Sequence, residues 1–128
     1  MIVVDAGVLI AHLDHNDPSH DRAVDALLET ADQPLGCSPI TLAEVLVGPA
    51  RAGRLSDART AVDQLGVAEI PLGDDAPATL ATVRAETSLQ MPDCCVLLAA
   101  EQARARAILT FDDRLGRTAQ RRGLRAAY

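Results

Sequence analysis

Four short apolar stretches, IVVD at 2–5, PLGC at 34–37, VAEIPL at 67–72 and AILT at 107–110, alternate with longer segments of helical character. Strands this short, with little polar alternation, belong where both faces are covered. Consecutive strands separated by helix-length connections pair in parallel. The expectation is therefore an α/β fold, a parallel β-sheet sandwiched between α-helices, in a single domain spanning 1–128. A chain of 128 residues buries a substantial core without disulfide or metal staples. Aromatic residues make up only 2%, so Ala, Val, Leu and Ile must build that core.

The connecting segments carry helix signals. AGVLIAHL follows the first strand directly, and after the turn-rich DHNDPSHD the span from Pro18 to about Thr30 places Ala23, Val24, Leu27, Leu28 and Ala31 at helical spacing. Ser38 stands as an N-cap with Pro39 at the first helical position, and Gly48-Pro49 reads as an interruption at the far end. Residues 55–65 look helical and Asp74 to about Thr87 looks amphipathic, while the segment opened by Pro92-Asp93 is apolar on most sides through Ala100 and reads as a buried helix. FDDRLGRTAQRRG supplies a turn and short helix, and LRAA a last edge strand.

The formal net charge of −6 argues against a protein that coats nucleic acid indiscriminately. All 12 cationic Lys and Arg positions are Arg, and Arg114, Arg117, Arg121, Arg122 and Arg125 crowd the end of the chain. They read either as a solvated face or as an edge that meets phosphate. Cys37, Cys94 and Cys95 make a poor disulfide framework and are expected to be reduced and buried in a cytoplasmic protein. No apolar run has membrane-spanning length, and no signal peptide is evident.

Asp5 closes an apolar strand, where a buried unpaired charge is costly. Asp112 follows AILT by two residues, Asp93 sits in the first turn of the buried helix, and Glu44 lies in the second turn of the Ser38-capped helix beside Leu42, Val45 and Leu46. In parallel sheets, ligands sit beyond the carboxyl ends of the strands. Taken singly, each acid reads as a cap or surface residue. Together they would repel, since two charges about 4 Å apart cost roughly 4 kcal/mol at an effective dielectric of about 20. Protonation relieves this, and so does a hard divalent cation such as Mg²⁺ or Mn²⁺ held by oxygen ligands.

IVVDAGVLIAHLDHNDPSHDRA, SPITLAEVLVG and MPDCCVLLAAEQARARAILTFDDRL together resemble, in order and spacing, the sequence blocks of PIN-domain ribonucleases, most closely the VapC-type toxins of type II toxin–antitoxin pairs. The resemblance spans nearly the whole chain. It implies a homodimeric endoribonuclease dependent on Mg²⁺ or Mn²⁺, with Asp5, Glu44, Asp93 and Asp112 as catalytic metal ligands. It also implies an RNA substrate, tRNA or rRNA, and a VapB-type antitoxin partner. The sequence departs from the family at Gly7, where a Ser, Thr or Asn is common, and offers Asp113 beside Asp112; the Thr-x-Asp pattern favours Asp112. Thr110 reads equally as a site hydrogen-bonder and as an ordinary strand end.

The rival readings are weaker. His12, His15 and His20 suggest zinc, but no Cys lies near and their segment looks like a helix-connecting turn. A haloacid-dehalogenase-type phosphatase wants a second Asp at the position of Gly7, and a chain without Lys makes neither a receiver domain nor a P-loop. The rival from another class is a catalytically weak or inactive PIN fold that binds RNA or an antitoxin.

Overall fold

The computed structural model describes residues 1–127; Tyr128, the last residue of the expected domain, lies outside the described residues. The elements run β1 (Ile2–Val4), α1 (Ala6–Leu13), α2 (His20–Glu29), β2 (Leu35–Cys37), α3 (Pro39–Arg51) and α4 (Leu55–Gln64). The chain continues through β3 (Val67–Glu69), α5 (Ala76–Glu86), α6 (Met91–Gln102), β4 (Ala107–Leu109), α7 (Asp113–Arg121) and β5 (Arg125–Ala127). Strand order is β3-β2-β1-β4-β5, with every pairing parallel. The α/β sandwich read from the sequence is the fold observed. No described helix is long and apolar enough to cross a membrane.

Strand periodicity explains the two cores. Ile2 and Val4 point to one face, where they pack with Val8 and Leu9 of α1, Ala23 and Leu27 of α2, Leu42 and Val45 of α3 and Val62 of α4. Val3 points to the other, against Val96, Leu97 and Ala100 of α6, Val83 of α5 and Leu115 and Ala119 of α7. Helix α6 is buried on all sides over Cys94–Ala100, as its apolar run requires, and packs on β1, β4, α3 and α5. Gly36 is needed in β2 because a Cβ there would lie 2.6 Å from Ile70 Cδ1. All three cysteines are free thiols and buried.

Three local expectations change. Helix α3 continues through Gly48-Pro49 to Arg51, since proline removes only the bond to the Val45 carbonyl and only one short turn remains. On α2, Ala26 is buried while Leu28 is 68% exposed and Ala31 is exposed beyond the helix. Helix α5 buries only Val83 fully, so its amphipathic contrast is weak.

The chain leaves β1 towards β2 and β3, then crosses to β4 and β5 on the other side of β1. The strand order therefore reverses between β1 and β4. A crevice opens beyond the carboxyl ends of strands at such a reversal.

Candidate functional site

Asp5 immediately follows β1 and caps α1. Its Oδ1 accepts the Ala6 N–H at 2.8 Å, and its own N–H continues the ladder to the Leu109 carbonyl at 2.9 Å. Thr110, fully buried at the end of β4, donates from Oγ1 to Asp5 Oδ2 at 2.7 Å and accepts the Asp112 N–H at 3.0 Å. One hydroxyl thus links the carboxyl ends of the two strands that flank the crevice. Asp112 caps α7, its Oδ1 accepting the Arg114 and Leu115 N–H groups at 2.8 and 3.2 Å.

Glu44 and Asp93 arrive from the helices. The buried Ser38 caps α3 by accepting the Thr41 N–H at 2.9 Å, fixing the helix start that carries Glu44 inward. Glu44 Oε1 is buried without a hydrogen-bond partner. Asp93 is the third residue of α6, near the positive end of the helix.

The electrostatics tie the four acids together. Burial raises the Asp5 carboxyl, countered in part by the Thr110 and Ala6 hydrogen bonds and reinforced by the Asp112 charge. Burial and then the Asp5 charge raise Glu44. Asp93 is pushed up to about 6 by burial, then by Asp5, Asp112 and Glu44, with the Arg114 guanidinium opposing. Of the two neighbouring acids, both exposed, it is Asp112 and not Asp113 whose charge acts on Asp5 and Asp93.

Proton affinity raised by burial and then by neighbouring carboxylates at Asp5, Glu44 and Asp93, together with a buried carboxylate oxygen lacking any partner, describes a place where positive charge is favoured. The donors are all oxygen, which suits a hard divalent cation. Among the described residues, no three His, Cys, Asp or Glu side chains stand close enough to cage a metal directly. Mg²⁺ rarely needs such a cage, because it keeps several waters and takes only one or two carboxylates. The set therefore fits an ion bound partly through water, with Asp5, Glu44, Asp93 and Asp112 as its acids.

Other groups fall into place around this set. Arg114 acts on Asp93, a contribution hidden in the sequence inside the run of arginines; its position two residues after Asp112 was the available signal. Arg22 of α2 lies over the Phe111 ring, 4.2 Å from its centroid. Nothing lies within 4 Å of a Cβ built on Gly7, so a side chain at that position meets open space. The three histidines do approach one another, with His12–His20 centroids 6.3 Å apart and His15–His20 4.7 Å. His20 Nδ1 is engaged at 2.9 Å by the Ala11 carbonyl, and the trio is not among metal-competent groups of the described residues.

A family model for the PIN domain matches residues 2–121. Solved structures share the fold. A toxin–antitoxin complex from Klebsiella pneumoniae is 24% identical with a TM-score of 0.69, covering 88% of this chain and 87% of that one. VapC20 of Mycobacterium tuberculosis, described as a sarcin–ricin loop cleaving toxin, is 17% identical with a TM-score of 0.72 and coverages of 92% and 95%. FitAcB of Neisseria gonorrhoeae is 20% identical with a TM-score of 0.72 and coverages of 98% and 96%. No curated protein matches the sequence at a significant level.

Proposed function

The chain belongs to the PIN-domain family, and from that premise we propose that it is a Mg²⁺- or Mn²⁺-dependent endoribonuclease, the toxin of a VapBC-like pair. What supports this reading is that Asp5, Glu44, Asp93 and Asp112 act electrostatically on one another, with burial and neighbouring charge raising the Asp5, Glu44 and Asp93 carboxyls, and that Glu44 Oε1 is unpartnered. A divalent ion bound there supplies a water acidified for attack and neutralises charge developing on the phosphodiester. Thr110 holds the Asp5 and Asp112 segments in register through its two hydrogen bonds. Glu44 Oε1 is the atom left to take a proton or orient a water.

A VapB-type antitoxin, a homodimer and a cytoplasmic setting complete the proposal. Support for protein partners comes from large apolar side chains left at the surface, Leu28 at 68% exposure foremost, followed by Ile40, Val47 and Leu55 at 44–45%. One of the solved structures named above is a toxin–antitoxin complex by its description.

The test is cleavage of total tRNA and rRNA by antitoxin-free protein, with Mg²⁺ or Mn²⁺ and with EDTA, beside Asp5→Asn. Discrete metal-dependent cuts that vanish in the variant support the reading, and their mapped ends name the target. Intact RNA in every lane from folded protein, with RNA or antitoxin still bound, points to the non-cutting module instead.

A further inference from the structure

The five C-terminal arginines are not equivalent in the structure. Arg122 is committed to carboxylates, donating to Glu101 Oε1 at 2.9 Å and lying 3.8 Å from Glu86 Oε2, with only 29% of its side chain exposed. Arg121 has no carboxylate at ion-pair distance among the described residues. Arg114, Thr118 and Arg121 follow one another at i, i+4 and i+7 on α7, which puts them on one stripe. That stripe borders a cleft of about 410 Å³, in which Thr118, Arg121 and Arg122 face Glu86, Thr87 and Ser88 across the end of α5. At the near end of the cleft, Arg114 Nη1 reaches the Ser88 carbonyl at 3.5 Å. Arg117 and Arg125 do not line it.

Arg114 therefore stands between the acids, where it acts on Asp93, and a polar cleft that holds a guanidinium with no carboxylate at ion-pair distance among the described residues. We infer that this cleft is the track taken by the substrate's RNA backbone, with Arg114 and Arg121 as its phosphate contacts. The inference rests on the ribonuclease reading above and adds where the strand lies. The two contacts are separated by seven helical positions, roughly 10 Å along the axis, too far to share one phosphate. Ser88 lines the cleft with a hydroxyl suited to phosphate and sugar oxygens, whereas the Thr87 and Thr118 hydroxyls already donate to the Val83 and Arg114 carbonyls. No apolar anchor lines it, which disfavours a protein helix there. Glu86 is the one opposing charge, exposed and held loosely. It sets an upper limit on how tightly a polyanion binds and gives the inference a variant that should gain affinity.

The experiment is fluorescence anisotropy with a labelled, unstructured single-stranded RNA in EDTA, where metal-dependent cutting is absent, across a series of salt concentrations. Arg114→Gln and Arg121→Gln should each weaken binding several-fold and flatten the dependence of log K on log salt by about 0.7, the value for one phosphate contact on a single strand. Glu86→Gln should tighten binding, and Arg59→Gln, on the exposed face of α4, should leave it unchanged. Thermal melts of these surface variants confirm that each is folded. Wild-type binding and cleavage that persist unaltered in Arg121→Gln, with the wild-type salt slope, would overturn the track alone. Loss of antitoxin binding in that variant with RNA binding intact overturns it in favour of a protein partner. Wild-type protein that neither binds nor cuts RNA overturns the track and the ribonuclease reading together.

Discussion

Replacing Asp93 by Asn is expected to stabilise the metal-free protein at neutral pH while removing turnover. The Asp93 carboxyl, ordinarily near 3.8, is pushed to about 6, first by burial and then by the Asp5, Asp112 and Glu44 charges. About two pH units at about 1.4 kcal/mol each give an upper figure of about 3 kcal/mol, the free energy by which ionised Asp93 opposes folding. The group is only partly buried, and solvent screening reduces this to about 1–2 kcal/mol. Against it stands the favourable placement of a negative charge in the first turn of α6, about 0.5 kcal/mol. The burial and charge penalty wins, and a net gain near 1 kcal/mol corresponds to a rise of roughly 3–6 °C in melting temperature for a domain of this size. Because the folded pKa lies above the unfolded one, the wild-type contribution is fully present below about 3.8 and is lost as pH rises through about 6. The advantage of Asn should thus be full at pH 7.5 and mostly gone at pH 4. Scanning calorimetry of both proteins at the two pH values, in EDTA, makes the measurement. A variant no more stable than wild type at pH 7.5, or equally favoured at pH 4, would refute the electrostatic account of the site.

Thr110→Val keeps the shape but leaves Asp5 Oδ2 and the Asp112 N–H without their shared partner, so chemical denaturation should show a loss of about 2–3 kcal/mol and cleavage should fall. Mg²⁺ or Mn²⁺ at ten times its dissociation constant should raise wild-type stability by about 1.4 kcal/mol, and a calorimetric titration should show a smaller rise in Glu44→Gln. Gly7→Ala meets open space on α1 and should add about 0.5 kcal/mol without altering the fold, read from the denaturation midpoint. The Cys37 thiol, buried and pushed up to about 11, and the buried Cys94 and Cys95 should resist a disulfide reagent until denaturant is added, followed by absorbance.

Much of this fold is legible in the sequence because each signal is local. IVVD ends its strand where an apolar run meets an N-cap, Ser38-Pro39 starts a helix by side-chain chemistry, and Cys94–Ala100 is apolar all round because α6 has neighbours on every side. What the sequence obscures is settled by tertiary partners. Pro49 fails to end α3 because only one carbonyl loses its donor there. Leu28 has the right spacing for a core face yet stays outside, as the helix buries Ala26 and Leu27 in the core it shares with α1 instead. The role of Thr110 depends on a bond to a side chain 105 positions away, which no window along the chain contains. The sorting of Arg121 from Arg122 likewise turns on Glu86 and Glu101, carried by two other helices.

The same tertiary closure explains why the acids tolerate one another. Two of the four act as helix caps, so Asp5 and Asp112 each satisfy backbone donors that α1 and α7 would otherwise leave bare. Those bonds hold them in place in any ionic state of the crevice. Glu44 and Asp93 have no such structural employment among the hydrogen bonds of the described residues, and they carry the orphaned oxygen and the carboxyl at about 6. The division predicts unequal responses to amide substitution. Asp5→Asn and Asp112→Asn keep a side-chain acceptor for the caps but place an amide against Thr110 or the α7 start, so relief of repulsion and loss of charged cap bonds oppose each other and the melting temperature should move little. Asp93→Asn and Glu44→Gln lose no cap, and their melting temperatures should rise. If all four variants rise equally in EDTA at pH 7.5, the caps contribute nothing beyond what a neutral amide supplies, and the distinction between positioning acids and stored charge is wrong.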